Sequence, residues 1–169
     1  MKKITFMFLA EAMMFGFAIP AFAQQTLPEV TVTATNYKYL KVVGGKEVAI
    51  PVERMQRAAA AYNIKSSEYY EEDFDSYFIS FYLPEGELLA AYDKNGKLLS
   101  TAEKYTNVKM PAAVSKAIVT RFPNWMITKN VYLVKYFDKT GNASKQYKVL
   151  LENGDQRLRV KLNENGDFL

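Results

Sequence analysis

Neither cysteine nor histidine occurs in this 169-residue sequence. Without them the chain cannot build a Ser-His-Asp or Cys-His catalytic arrangement, a histidine-ligated zinc site or a thiol nucleophile. The His-x-Gly-His signature of nucleotidyl transferases is excluded with them. No disulfide can staple the fold, so the chain must hold together through its core alone. Glycine is sparse as well: the eight residues are scattered, and none builds a phosphate-cradling loop. Charge is weak, with 22 basic against 18 acidic side chains, which does not suggest a nucleic-acid binder. Only carboxylate, lysine or tyrosine chemistry survives, and the expectation is a chain without catalytic residues, metal or cofactor.

What is present begins with a Met-Lys-Lys start, an apolar stretch from Ile4 to Ile19, and Pro20-Ala21-Phe22-Ala23. This is the pattern of a secretory signal peptide over residues 1–23, cut before Gln24. Glu11 interrupts the apolar run, which is also too short for a permanent span. The expected mature protein is periplasmic or secreted, with no stable membrane insertion. Removing Lys2, Lys3 and Glu11 leaves 20 basic and 17 acidic residues. They are unevenly divided: Met110 to Leu169 carries 10 and 5, whereas Gln24 to Lys109 carries 10 and 12.

An N-terminal extension over 24–49 reads as short strands. Glu29 to Ala34 alternates apolar and β-branched residues. Leu27 to Ala34 also resembles the segment of outer-membrane transporters that engages an energy-coupling protein, although this chain is too short to carry their barrel. Tyr37 to Val43 is expected as a second strand, ended by Gly44-Gly45.

Two units follow, 50–109 and 110–169. In the first, Pro51 suits an opening helical turn, and Met55, Ala58, Ala59 and Tyr62 fall on one helical face. Ser76 to Leu83 alternates strictly, Pro84-Glu85-Gly86 turns the chain, Glu87 to Tyr92 returns it, and Asp93-Lys94-Asn95-Gly96 turns it again. The second unit has a helix burying Pro111, Val114, Ala117, Ile118 and Phe122, ended by Pro123. Strands are expected over Asn130 to Phe137, Gln146 to Leu151 and Arg157 to Leu162. Leu83 to Gly86 matches Leu151 to Gly154, and Asp93 to Gly96 matches Asn163 to Gly166. On that alignment Ile79, Phe81 and Leu83 correspond to Tyr147, Val149 and Leu151. The expected fold is α+β: two tandem helix-plus-antiparallel-hairpin repeats forming one antiparallel sheet, with helices on one face.

A signal peptide, a Pro-x-x-Val-x-x-x-Ile-x-x-x-Phe-Pro helix from Pro111 to Pro123, and hairpins ending in Asp/Asn-x-Asn-Gly resemble the PepSY-like secreted proteins of Bacteroidetes. That group is similar in architecture to the β-lactamase inhibitor protein. The resemblance spans about residues 50 to 169. It implies a periplasmic protein that binds, inhibits or modulates another envelope protein, and it transfers no contact residue.

Strand parity nominates a surface. Phe78, Ser80, Tyr82, Leu89 and Ala91 should point away from the helices in the first unit, and Lys148, Leu150, Arg157, Arg159 and Lys161 in the second. Phe78, Tyr82, Leu89, Lys148, Leu150, Arg157, Arg159 and Lys161 are the candidate binding residues, with aromatic anchors at one end and cations for an acidic partner at the other. The bland alternative is a solvated basic face, with the aromatics covered by the N-terminal strands. A small-ligand or envelope-polymer binder using the same aromatics is the rival functional reading. The acidic run Glu68, Glu71, Glu72, Asp73 and Asp75 is open to calcium or to carboxylate acid/base work, yet lacks the register of a calcium loop. Trp125 is expected as a lid between helix and sheet.

Overall fold

The computed structural model describes residues 36–169. The expected signal segment and the strand at Glu29 to Ala34 lie outside the described residues. Six strands form one antiparallel sheet in the order in which they occur: β1 (Ser76–Leu83), β2 (Gly86–Asp93), β3 (Leu98–Thr106), β4 (Met126–Phe137), β5 (Asn142–Asn153) and β6 (Gln156–Asn163). Helices α1 (Tyr37–Val43), α2 (Ile50–Ala61) and α3 (Ala112–Arg121) supply the rest, so the class is α+β.

Helix α2 starts with Pro51 in its first turn, where the missing N–H costs nothing, and buries Val52, Met55, Gln56, Ala59 and Ala60. Ala58, expected on that face, points to solvent. Helix α3 buries Val114 and Ile118, with Pro111 just before it and Pro123 just after. Phe122, Trp125 and Phe168 gather beyond its end, ring centres 6.5 and 5.8 Å apart from Phe122, and Trp125 is the half-buried lid foreseen.

Tyr37 to Val43 is a helix, not a strand. Its β-favouring residues lose to tertiary demand. A helix places Tyr39 and Val43 on one stripe, both buried, and Tyr39 meets the Tyr136 ring edge-on at 5.2 Å. Asn36 anchors the start: its amide donates to the Ala60 and Gly96 carbonyls at 3.1 and 3.2 Å, and its oxygen accepts from Leu98 N–H at 2.8 Å.

Strand β3 had no counterpart among the expected strands. Its inward residues are Thr101, Glu103 and Tyr105, two of them polar, so the hydrophobic alternation that announces a strand is masked. Glu103 is buried against α1 and α2 and accepts from four donors: Tyr39 hydroxyl (2.7 Å), Gln56 amide (2.9 Å), Thr101 hydroxyl (2.8 Å) and Tyr105 hydroxyl (2.9 Å). Burial pushes its carboxyl above the ordinary glutamate range, and the Gln56, Tyr39, Thr101 and Tyr105 bonds pull it partly back.

The internal repeat is real but shifted from the expected alignment. The Asp93 and Asn163 turns are built alike. Asp93 Oδ1 accepts from Asn95 and Lys97 N–H at 2.8 and 3.0 Å; Asn163 Oδ1 accepts from Asn165 and Asp167 N–H at 3.0 and 3.0 Å. Glycine closes both turns with φ of 82° and 90°, where a side chain would be strained. Counting from these turns, Tyr92 pairs with Tyr77 as Leu162 pairs with Tyr147, and Leu98 lies beside Tyr92 as Phe168 lies beside Leu162. Strands β1 and β2 therefore correspond to β5 and β6, with Tyr77, Ile79 and Phe81 matching Tyr147, Val149 and Leu151. The match of Leu83 to Leu151 was two residues out, because the glycines used to align the turns are not equivalent: Gly154 lies inside the β5–β6 turn, whereas Gly86 is the first residue of β2. The hairpins have the same length, and the Asn153–Gln156 pair corresponds to Leu83–Gly86. A slip of two keeps every side chain on its face, so the inward and outward sets survive the correction.

Candidate binding face

Among the described residues, all three helices pack on one side of the sheet and none on the other. Helix α1 reaches Tyr136 and Glu103, α2 reaches Glu103 and Tyr92, and the inward side chains of every strand belong to one buried cluster. The register assigns the opposite face. From β1 to β6 one row reads Phe78, Ala91, Ser100, Phe137, Asn142; the next reads Ser80, Leu89, Ala102, Lys135, Ser144; the third reads Tyr82, Glu87, Lys104, Leu133, Gln146, Asn163. Beyond them lie Val131, Lys148 and Lys161, then Lys129, Leu150 and Arg159.

The sequence-nominated residues all fall on this face. Phe78 and Tyr82 are 70% and 72% exposed, Leu89 is exposed, and Leu150 is half-buried. Lys148, Arg157, Arg159 and Lys161 are exposed. Ala91 is the exception to exposure: it points outward but is covered, a small side chain between Phe78 and Ser100. Arg157 is not a free cation, since its Nε lies 3.0 Å from Glu152 Oε1. Lys104, which sequence reasoning missed with its strand, pairs with Glu87 at 3.3 Å.

The remaining cations form a patch. Among the described residues Lys129, Lys135, Lys148, Arg159 and Lys161 make no ion pair. Lys148 and Lys161 sit directly opposite one another on adjacent strands, an arrangement that weakens a sheet. Lys129 joins because β4 begins earlier than expected, and Lys135, within the expected strand, had been given no face; Phe137, 54% exposed, extends the aromatic end. A cleft of about 440 Å³ lies between the two ends, bordered by Ser80, Tyr82, Leu89, Ala102, Lys104 and Lys135.

The acidic run lies elsewhere, exposed along the loop before β1. Among the described residues no three acidic side chains converge as a metal site would require. Asp93, the fragment of a calcium-loop register, spends its carboxylate on its own turn. Asp138 is held below the usual carboxylate range by hydrogen bonds from Lys97 and Lys38, at 2.6 and 3.1 Å, and joins α1 to the sheet.

In comparisons with known proteins, no family profile matches the chain and no curated protein does. Among solved structures it is similar to a BLIP-like protein from Bacteroides fragilis NCTC 9343. The alignment covers 59% of this chain and 68% of that one, with 20% identity and a TM-score of 0.32. So distant a likeness transfers no residue, and the site stands on this chain's own geometry.

Proposed function

We propose that this is a non-catalytic, periplasmic or secreted protein-binding module that inhibits or modulates an acidic envelope protein through the open sheet face. One observation carries the reading: among the described residues, exposed aromatics and unpaired cations share a single helix-free face. Five inter-strand spacings separate β1 from β6, about 24 Å, and strands of eight residues give roughly 600 Å². That is close to one side of an ordinary protein interface and larger than a small ligand needs. Phe78, Tyr82 and Leu89 supply apolar burial, while Lys148, Arg159 and Lys161 steer the partner. The PepSY-like resemblance supports this role, and the signal-peptide pattern in the sequence of residues 1–23 supports the compartment. The absence of histidine and cysteine supports a non-enzymatic reading.

The central cleft favours a second reading, in which a small ligand or envelope polymer lies across Tyr82 and Leu89. Capture from envelope extract separates the two. The Tyr82→Ala plus Arg159→Glu variant should lose the captured protein while keeping the wild-type melting temperature. Retained capture by that variant would sink the open-face assignment, and capture of glycan or lipid alone would favour the second reading.

A further inference from the structure

The two halves of the sheet differ at the strand beside β1. In the second unit β5 is flanked by β4, antiparallel to it over Met126 to Phe137. Strand β1 corresponds to β5, yet the residues just before it form a loop, and among the described residues β1 pairs with β2 alone. Within the described residues the first unit thus has the place for a strand without the strand. We propose that the free edge of β1 is a strand-addition site for an extended, cation-flanked segment of another protein, seated as β4 sits on β5.

Among the described residues nothing covers this edge. Sheet edges are commonly blunted by charge, proline or a covering segment. Strand β6, the other edge, carries Arg157, Arg159 and Lys161 and is bridged by Phe168, while Leu169 N–H bonds the Lys161 carbonyl at 2.9 Å. Strand β1 reads Ser-Tyr-Phe-Ile-Ser-Phe-Tyr-Leu, with no charge, glycine or proline. No backbone hydrogen bond joins it to anything but β2 among the described residues. Leu83 and Gly86 flank a two-residue turn and so form a hydrogen-bonded pair, which by alternation aims the backbone groups of Phe78, Ser80 and Tyr82 outward.

Pocket and charge define the occupant. On the helix side of this edge, a shallow cleft of about 660 Å³ runs between the end of α2 and β1, lined by Ala58, Ala61, Tyr62, Ser66, Tyr69 and Phe81. Alternate side chains of an added strand would enter it, so main-chain bonds give affinity and the cleft gives selectivity for apolar residues. Glu68 borders the cleft, and Glu71, Glu72, Asp73 and Asp75 are exposed on the loop leading into β1. Among the described residues their one ion pair is Asp75 with Lys94, at 3.9 Å. That rim suits lysine or arginine flanking an apolar, alternating centre. The edge and the open face are different surfaces, so either proposal can fail alone.

The test is titration of the purified, isotope-labelled chain with a synthetic peptide, Lys-Lys-Thr-Val-Ser-Val-Thr-Ile-Ser, followed by backbone amide spectra. The expected result is a shift and slowed exchange confined to β1 and the α2–β1 cleft. Affinity should fall about tenfold or more when alternate peptide amides are N-methylated, and similarly with the Glu72→Lys plus Asp73→Lys variant. Four results would overturn the proposal: no binding of the peptide, equal binding of the N-methylated one, shifts on the open face instead, or a β1-mediated dimer by sedimentation that excludes it. Binding seen only after residues 24–35 are deleted would also overturn it, by making the occupant the chain's own.

Discussion

The strand pairs β1–β2 and β5–β6 are the same scaffold carrying opposite chemistry. At equivalent positions on the open face, Phe78 opposite Ala91 becomes Lys148 opposite Lys161, and Ser80 opposite Leu89 becomes Leu150 opposite Arg159. Tyr82 opposite Glu87 becomes Glu152 opposite Arg157. The inward positions barely change character: Tyr77 and Tyr147, Ile79 and Val149, Phe81 and Leu151, Leu88 and Leu158, Tyr92 and Leu162. A side chain facing the core is constrained by volume and polarity, because a void or an unpaired polar group there costs several kcal/mol. One facing solvent is constrained far less. The fold could therefore keep one internal plan twice while its outer face diverged, apolar at one end and cationic at the other.

The units differ most below the sheet, and there the largest effect is expected. The first packs its helices around the Glu103 carboxylate, whereas the second uses Val149, Leu151 and Leu162. Replacing Glu103 by alanine leaves two tyrosine hydroxyls, the Thr101 hydroxyl and the Gln56 amide without their acceptor. The expected cost is about 3–5 kcal/mol, measured by urea denaturation. Its pH dependence has a definite sign. Because the folded carboxyl is raised above its unfolded value, its contribution is fully present below about pH 4.3 and is lost as pH rises through the folded value. Removing the titration with Glu103→Gln should flatten the stability profile on the alkaline side of pH 4.3. An unchanged slope would show that Glu103 titrates as it does in the unfolded chain.

A smaller effect sharpens the likeness between the units. If the Asp93 and Asn163 turns are equivalent, Asp93→Ala and Asn163→Ala should destabilise comparably, by about 1–2 kcal/mol for the two turn bonds each loses, Asn163 losing in addition its exposed amide bond to Asp167 Oδ2 at 2.8 Å. A large inequality in thermal unfolding would break the alignment on which β1 and β5 are equated. These turns were also the most readable part of the chain. Asp or Asn followed by Asn-Gly has local chemistry that needs no tertiary partner. Strict alternation placed β1, β2, β5 and β6 with the correct faces, and with them all eight candidate surface residues. What was hidden depended on distant partners. Glu103 looks like a surface residue until Tyr39 and Gln56 arrive from α1 and α2, so β3 and the outward Lys104 were missed. Tyr37 to Val43 looks like a strand until the sheet beneath it needs cover. Lys129 was left out of its strand, because the bulge between Ile127 and Lys129 disrupts the alternation at the start of β4.

The smallest expected effect separates function from stability most cleanly. Lys148 and Lys161 face each other across β5 and β6 with no carboxylate beside them, so their repulsion works against the sheet. Lys161→Glu would convert it into an opposite-charge pair. Stability should rise by about 0.2–1 kcal/mol at low salt, and the gain should shrink as salt is added. If the open face binds as proposed, the same change should slow association with an acidic partner, while dissociation, assigned there to Phe78, Tyr82 and Leu89, changes less. A lysine pair kept only because exposed charges are tolerated predicts the gain in stability with no change in association rate. A patch maintained for steering predicts both, in opposite directions. Measuring melting temperature and association rate on one variant therefore decides whether the basic end of the sheet is merely solvated or is the feature that draws the partner in.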